Sequence, residues 1–222
     1  MIRTVDLTKI YKRGKEVRAV DGVTISVETG EFVLVIGRSG SGKTTLLSMI
    51  GGLTRPTSGL VELWDRNVWL ESDKELSNLR ARRIGFVFQF SGLMPTLTAL
   101  ENVMLPGLFA GTKSGEAERA SALIEDVGLS GRGSSYPSQM SAGEMKRVAI
   151  ARSLMNEPDL ILADEPTGDL DVDTEREIMG VFKRMNDEGK TVLMVTHSPE
   201  LSVHADRVLR MEKGKIQEVP PP

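Results

Sequence analysis

With 222 residues, the chain is long enough for one buried core with an attached sub-domain and too short for two full independent domains. Hydrophobic residues at 40% and charged residues at 27% exclude a disordered chain. A formal net charge of -3 leaves no basic surplus for nucleic acid, and the absence of cysteine excludes a disulfide scaffold and a cysteine-ligated metal, so the cytosol is the simplest home.

The first six residues alternate apolar and polar side chains and carry an early aspartate, which predicts a first strand instead of a signal peptide. Short β-branched runs at 23–27, 32–36, 60–64, 84–88, 160–163, 192–195 and 207–211 predict further strands. The early runs alternate, as an antiparallel edge layer does. Those at 32–36, 160–163 and 192–195 are apolar throughout, the mark of strands covered on both faces of a parallel sheet. All fall far below the roughly 18 residues needed to cross a bilayer. Between residues 91 and 157 the spacing turns helical, at 98–109, 114–127 and 142–155, punctuated by Gly128, Gly131, Gly133 and Pro137. A charged amphipathic helix follows at 171–188, with Ile178, Val181, Phe182 and Met185 on one face and Gly189 closing it. The terminal Pro220-Pro221-Pro222 is expected to fray. The fold expected is one α/β domain over 1–222: a nucleotide-binding core at 1–89 and 158–222 with an N-terminal antiparallel layer, and a helical sub-domain inserted at 90–157.

The strongest local signal is Gly37-Arg38-Ser39-Gly40-Ser41-Gly42-Lys43-Thr44, which runs from an apolar strand into a helix beginning at Thr45. Its glycines let backbone N–H groups turn inward, and the helix N-terminus adds a positive dipole end, so a polyphosphate meets a preformed cradle. Lys43 is placed to reach the β- and γ-phosphates and Thr44 to hold Mg²⁺ through its hydroxyl. This predicts a P-loop nucleotidase and leaves its class open.

At residues 160–165 a buried strand delivers Asp164 and Glu165 to the sheet edge where open α/β folds bind ligands. Asp164 is placed to organise Mg²⁺ and Glu165 to polarise the attacking water; taken alone, the pair also fits a solvated strand-to-loop turn. His197 ends a further strand at the same edge, where an imidazole reaches the γ-phosphate, and Gln89 offers an uncharged amide at a strand end, a place that also fits an ordinary surface glutamine. His204 carries only a structural reading.

The segment Met140-Ser141-Ala142-Gly143-Glu144-Met145-Lys146-Arg147-Val148-Ala149-Ile150-Ala151-Arg152 resembles the signature motif and following helix of ABC ATPases. By itself it is a small-residue turn opening a helix, either an ordinary cap at Ser141 or a second anion site. The resemblance covers essentially the whole chain, with the motifs in the family's order, and is closest to the lipoprotein-release and macrolide-export branch through the stretches at 84–89, 97–103 and 163–167. It implies that Tyr11 stacks on adenine, that Gln89 is the glutamine loop, that Asp164 and Glu165 are the Mg²⁺ aspartate and the catalytic glutamate, that Gly168-Asp169-Leu170-Asp171 is the D-loop, and that His197 is the switch histidine. The implied nucleotide contacts are Tyr11, Gly37, Ser39, Gly40, Ser41, Gly42, Lys43, Thr44, Thr45, Ser141, Gly143, Glu144 and Asp171. Ala142 stands where a glycine is usual and adds a methyl group beside backbone that must approach phosphate, so slower turnover is expected.

The resemblance further implies a head-to-tail pair of copies. ATP would lie between one copy's phosphate loop and the Ser141 and Gly143 of the other, with hydrolysis driving a separate membrane permease from the cytoplasmic face of the plasma membrane. The apolar stretch Phe90, Leu93, Met94 and Leu97 is the expected permease contact. Two readings compete. A regulatory ATPase signalling to division or cell-wall machinery shares every motif; a DNA-repair ATPase needs a long coiled coil between Lys43 and Asp164, where only short helices are expected.

Overall fold

The computed structural model describes residues 1–111 and 115–219; Ser114, where the second helical stretch is expected to begin, and Pro220-Pro221-Pro222 lie outside the described residues. In chain order the strands are β1 (Ile2–Arg13), β2 (Lys15–Val27), β3 (Phe32–Ile36), β4 (Ser58–Leu63), β5 (Arg66–Asn67), β6 (Ile84–Val87), β7 (Leu160–Asp164), β8 (Thr191–Thr196), β9 (Arg207–Glu212) and β10 (Lys215–Val219). The helices are α1 (Lys43–Ile50), α2 (Asp73–Arg83), α3 (Ala99–Ala110), α4 (Glu116–Asp126), α5 (Ala142–Leu154) and α6 (Val172–Asp187).

Two sheets carry the chain: an antiparallel one of order β2-β1-β4-β5 and a six-stranded one of order β10-β9-β3-β8-β7-β6, parallel except for β10 against β9. The fully apolar runs occupy the centre of the second sheet, and their alternation divides the core in two. Phe32, Leu34, Ile36, Ile161, Ala163, Val192 and Met194 face α5 and α6, whereas Val33, Val35, Leu160, Leu162, Leu193 and Val195 face α1 and the antiparallel sheet. Both faces are dry because both are covered.

Several elements depart from the expectation, among them the two-residue β5, which pairs with β4. The strand expected at 23–27 is the end of a 13-residue strand, whose partner β1 spans 12 residues. Helix α2 buries only Leu76; it is fixed by a reciprocal cap between Ser72 and Glu75, with Asp73 and Glu75 in its first turn and Arg80, Arg82 and Arg83 in its last. Strand β10 is an exposed edge, paired through Lys215–Val219 with β9.

Helices α3, α4 and α5 pack on one another and reach the sheet through Val148, Ile150 and Ala151. The loop before α3 is clamped from beneath. Fully buried Asn102 donates to the carbonyls of Met94, Leu97 and Thr98 at 3.1, 3.1 and 2.9 Å and accepts from Met94 N at 2.7 Å. Arg152 donates to the carbonyls of Ser91 and Gly92 at 2.6 and 2.8 Å. Phe90 and Met94 are thus held out from a fixed loop, 79% and 49% exposed.

Candidate functional site

The phosphate loop is shaped by contacts that only glycine allows. A Cβ on Gly42, at φ +111°, would fall 2.0 Å from the Ala19 carbonyl oxygen of β2, and one on Gly37 would fall 2.4 Å from that of Met211 in β9. The loop therefore lies directly on two strand backbones, and Gly214 N locks it further by donating to Ser41 O at 3.0 Å. Lys43, 5% exposed at the start of α1, donates to the carbonyls of Gly37 and Arg38 at 2.7 and 3.3 Å, and its Nζ lies 3.3 Å from Glu165 Oε1.

Strand parity places the acidic pair. Asp164 shares the parity of Leu160 and Leu162, so its carboxylate emerges on the α1 side, where Thr44 Oγ1 donates to it at 3.1 Å. Burial pushes the Asp164 carboxyl above its ordinary value of 3.8; the Thr44 hydrogen bond pulls the other way. Glu165 lies one step beyond the strand at φ +46°, a left-handed conformation that costs a non-glycine residue about 1–3 kcal/mol. That turn delivers its carboxylate to β8: Oε2 accepts from His197 N at 3.0 Å and lies 2.8 Å from His197 Nδ1.

Together these elements wall a cleft of about 1140 Å³, lined by Gly37, Ser39, Gly40, Ser41, Gly42, Lys43, Thr44, Thr45, Gln89, Glu165 and His197 from the expected set. The remaining lining residues include Ala19 of β2, Pro199 and Arg210 to Lys213 around the β9 turn, which carry no chemical motif that the sequence could announce. Ser41 Oγ, aligned with the loop, is buried without a hydrogen-bond partner, one of three such atoms among the described residues. An anion in the cleft would satisfy it.

Six residues of the expected set lie outside the cleft lining, Asp164 among them, buried behind Thr44. Tyr11 is 37% exposed on β1, with Lys9 Nζ 5.3 Å from its ring centroid. Ser141, Gly143 and Glu144 open α5: Ser141 Oγ accepts from Glu144 N at 3.2 Å, and the Glu144 carboxylate accepts from Ser141 N at 2.8 Å and from Arg132 Nε at 3.0 Å. Gly143 is pressed against α6, where a Cβ would fall 2.7 Å from Thr174 Cγ2. Asp171 caps α6, accepting from Thr174 N at 2.9 Å and from Thr174 Oγ1 at 2.6 Å. Lys146, which no sequence signal singled out, is buried and donates to the Gln89 carbonyl.

The chemistry available is anion binding by inward backbone and an ammonium, beside a carboxylate oriented by an imidazole. Among the described residues no three His, Cys, Asp or Glu side chains converge on a metal position. The donors at hand, one hydroxyl, one carboxylate and the Gln89 amide, fit Mg²⁺, which takes one or two protein ligands and fills its shell from phosphate and water.

Residues 20–168 match the sequence profile of the ABC transporter family. The chain is 46% identical to the lipoprotein-releasing system ATP-binding protein LolD of Aquifex aeolicus, over 97% of this chain and 96% of that one. It is 47% identical to the macrolide export ATP-binding/permease protein MacB of Rhodopirellula baltica, over 98% of this chain but 33% of that protein, so it spans about a third of the MacB length. A dimeric post-hydrolysis structure of an ATP-binding cassette with ADP and Pi bound superposes with a TM-score of 0.93 at 40% identity, covering 100% of this chain and 99% of the other.

Proposed function

The chain belongs to the ABC transporter family, and from that premise we propose that it is an ATP-binding and ATP-hydrolysing subunit that pairs head to tail with a second copy and drives a separate membrane permease. One observation carries the reading most directly. The buried, unpartnered Ser41 Oγ sits in a glycine loop seated on Ala19 and Met211, with Lys43 beside it. That is a pocket complete except for phosphate oxygens.

In this reading the triphosphate takes Lys43 from Glu165, and the loop N–H groups hold the β-phosphate. Freed of the ammonium, Glu165 stays anchored by His197 N and accepts the proton of the attacking water, while the His197 ring donates to the γ-phosphate. Thr44, Asp164 and Gln89 are the proposed ligands of Mg²⁺, which when bound neutralises charge on the β- and γ-oxygens. Tyr11 stacks on adenine. The second copy contributes Ser141, Gly143 and Glu144 through the N-terminus of its α5, with Asp171 at the edge of the contact. Ala142, exposed beside Gly143, puts its methyl group at that surface.

We also divide the chain into a nucleotide-binding core, 1–89 and 158–222, and a helical sub-domain, 90–157, a division supported by the mutual packing of α3, α4 and α5. Among the described residues no helix is long and apolar enough to cross a membrane. Attachment to the cytoplasmic face of the plasma membrane would therefore run through the permease, with Phe90 and Met94 as the docking side chains.

The test is Glu165→Gln, which keeps the shape of the side chain and removes the base. It should bind ATP with wild-type affinity, lose roughly 10²- to 10⁴-fold in kcat, and elute as a dimer when loaded with ATP. An ATP-loaded variant that stays monomeric on size-exclusion chromatography, or one that hydrolyses at the wild-type rate, refutes the assignment.

A further inference from the structure

Lys146 is 7% exposed on α5, in a helix whose neighbouring positions Val148, Ala149 and Ile150 are buried and apolar. Burying an ammonium is costly unless it is matched by hydrogen bonds or charges. Among the described residues it forms no salt bridge; its Nζ instead points to three backbone carbonyls, those of Phe88 at 3.5 Å, Glu165 at 3.5 Å and Gln89 in close contact. These carbonyls come from the chain leaving β6 and the chain leaving β7. Burial pulls the Lys146 pKa down from 10.5, and the negative charges of Asp169, Asp164 and Glu165 push it back up. A methionine would fill the same space without that cost, so packing alone does not account for the ammonium.

We propose that Lys146 is a positioning residue for hydrolysis: its ammonium ties the helix that opens at Ser141 to the backbone of Gln89 and Glu165, fixing the turn that aims the Glu165 carboxylate. The inference rests on the reading of Glu165 as the hydrolytic base. Lys43 and His197 hold the carboxylate itself at this turn, whereas its backbone has few ties. Glu165 is held at φ +46°, with its N–H on Val195 O at 2.9 Å and its carbonyl accepting from Gly168 N at 3.2 Å. Lys146 is the side-chain donor that reaches this carbonyl from outside the strand. A carboxylate displaced by about 1 Å from the attacking water loses up to 10²-fold in rate, so a tether on its own backbone acts on turnover and leaves ATP binding alone.

Steady-state ATPase kinetics on Lys146→Met and Lys146→Arg test the proposal. Lys146→Met keeps the length of the stem and removes the donors; its kcat should fall roughly 10- to 100-fold while KM for ATP stays within about threefold. Its Tm should move by no more than about 4 °C, and Lys146→Arg, which restores donors, should recover most of the lost kcat. Wild-type kcat in Lys146→Met overturns the proposal. So does a parallel loss of kcat, ATP affinity and Tm that Lys146→Arg does not relieve, since that pattern belongs to structural support. If Lys146→Met does not fold, Lys146→Leu, which also removes the donors, is read by the same criteria. Glu165→Gln measured alongside separates the two ideas. Full turnover there removes the base itself, whereas an inactive Glu165→Gln beside a full-speed Lys146→Met removes only the tether.

Discussion

Replacing Gly42 with alanine separates two costs that the phosphate loop imposes on its glycines, provided that Gly40→Ala is measured beside it. Both positions have positive φ, +77° at Gly40 and +111° at Gly42, so each alanine loses about 1 kcal/mol or somewhat more to the left-handed backbone. At Gly40 nothing lies within 4 Å of the added Cβ, so no further cost arises. At Gly42 the Cβ lands 2.0 Å from Ala19 O and 2.8 Å from Met211 Cε, an overlap that β2 relieves only by moving. Overpacking of this kind adds about 1–3 kcal/mol. Taking roughly 3–4 kcal/mol in all for Gly42→Ala and about 2–4 °C per kcal/mol for a domain of this size, Tm should drop by roughly 6–16 °C. Gly40→Ala should drop by only about 2–4 °C. Thermal unfolding and titration with a fluorescent ATP analogue read the two effects: Gly42→Ala should bind weakly, and Gly40→Ala should bind within a few-fold of wild type. Equal melting temperatures and equal affinities for the two variants would refute the claim that the loop rests on Ala19.

Asn102→Ala should destabilise the protein by roughly 1–3 kcal/mol, because it removes the partner of Met94 N and of the Leu97 carbonyl, while the Met94 and Thr98 carbonyls keep their backbone donors; a loss under about 0.5 kcal/mol in urea unfolding would show that the clamp is dispensable. The capping carboxylates Glu75, Glu101 and Glu144 all sit below their ordinary 4.5, held there by hydrogen bonds from Ser72, Thr98 and Ser141 respectively. Their folded-state pKa values are lower than the unfolded ones, so the stability they add is present above about pH 4.5 and is lost as pH falls through the lowered values. A variant with all three changed to glutamine should show a flatter Tm profile between about pH 6 and about 3, and parallel profiles would count against it.

The parts that could be read from the sequence were those where chemistry and periodicity coincide. Apolar runs at β3, β7 and β8 identify the doubly covered sheet, and the glycine loop announces its own geometry. Helix α2 escaped because Leu76 is its one buried residue, leaving no apolar stripe, although Ser72 and Glu75 spelled its cap three residues apart. Strand β10 escaped because only Ile216 and Val219 of Lys215–Val219 are apolar, and they are only partly buried, so its place depends largely on pairing with β9. Within the site, strand parity carried the information for Asp164. Lys146 and Asn102 could not be found this way: Lys146 answers to carbonyls of loops distant in sequence and Asn102 to carbonyls of the loop just before its own helix, and a lone polar residue in a helix does not name its acceptors.

Gly143 touches Thr174 so closely that no side chain fits between them, and Thr174 is gripped by Asp171, six residues after Glu165. In the proposed head-to-tail pair, the tip that one copy would lend to its neighbour is therefore fastened to the chain leaving its own proposed hydrolytic centre. Under the proposed pairing, an adjustment at one chamber would reach the other through this contact, and a defect confined to a single copy would be expected to disturb both.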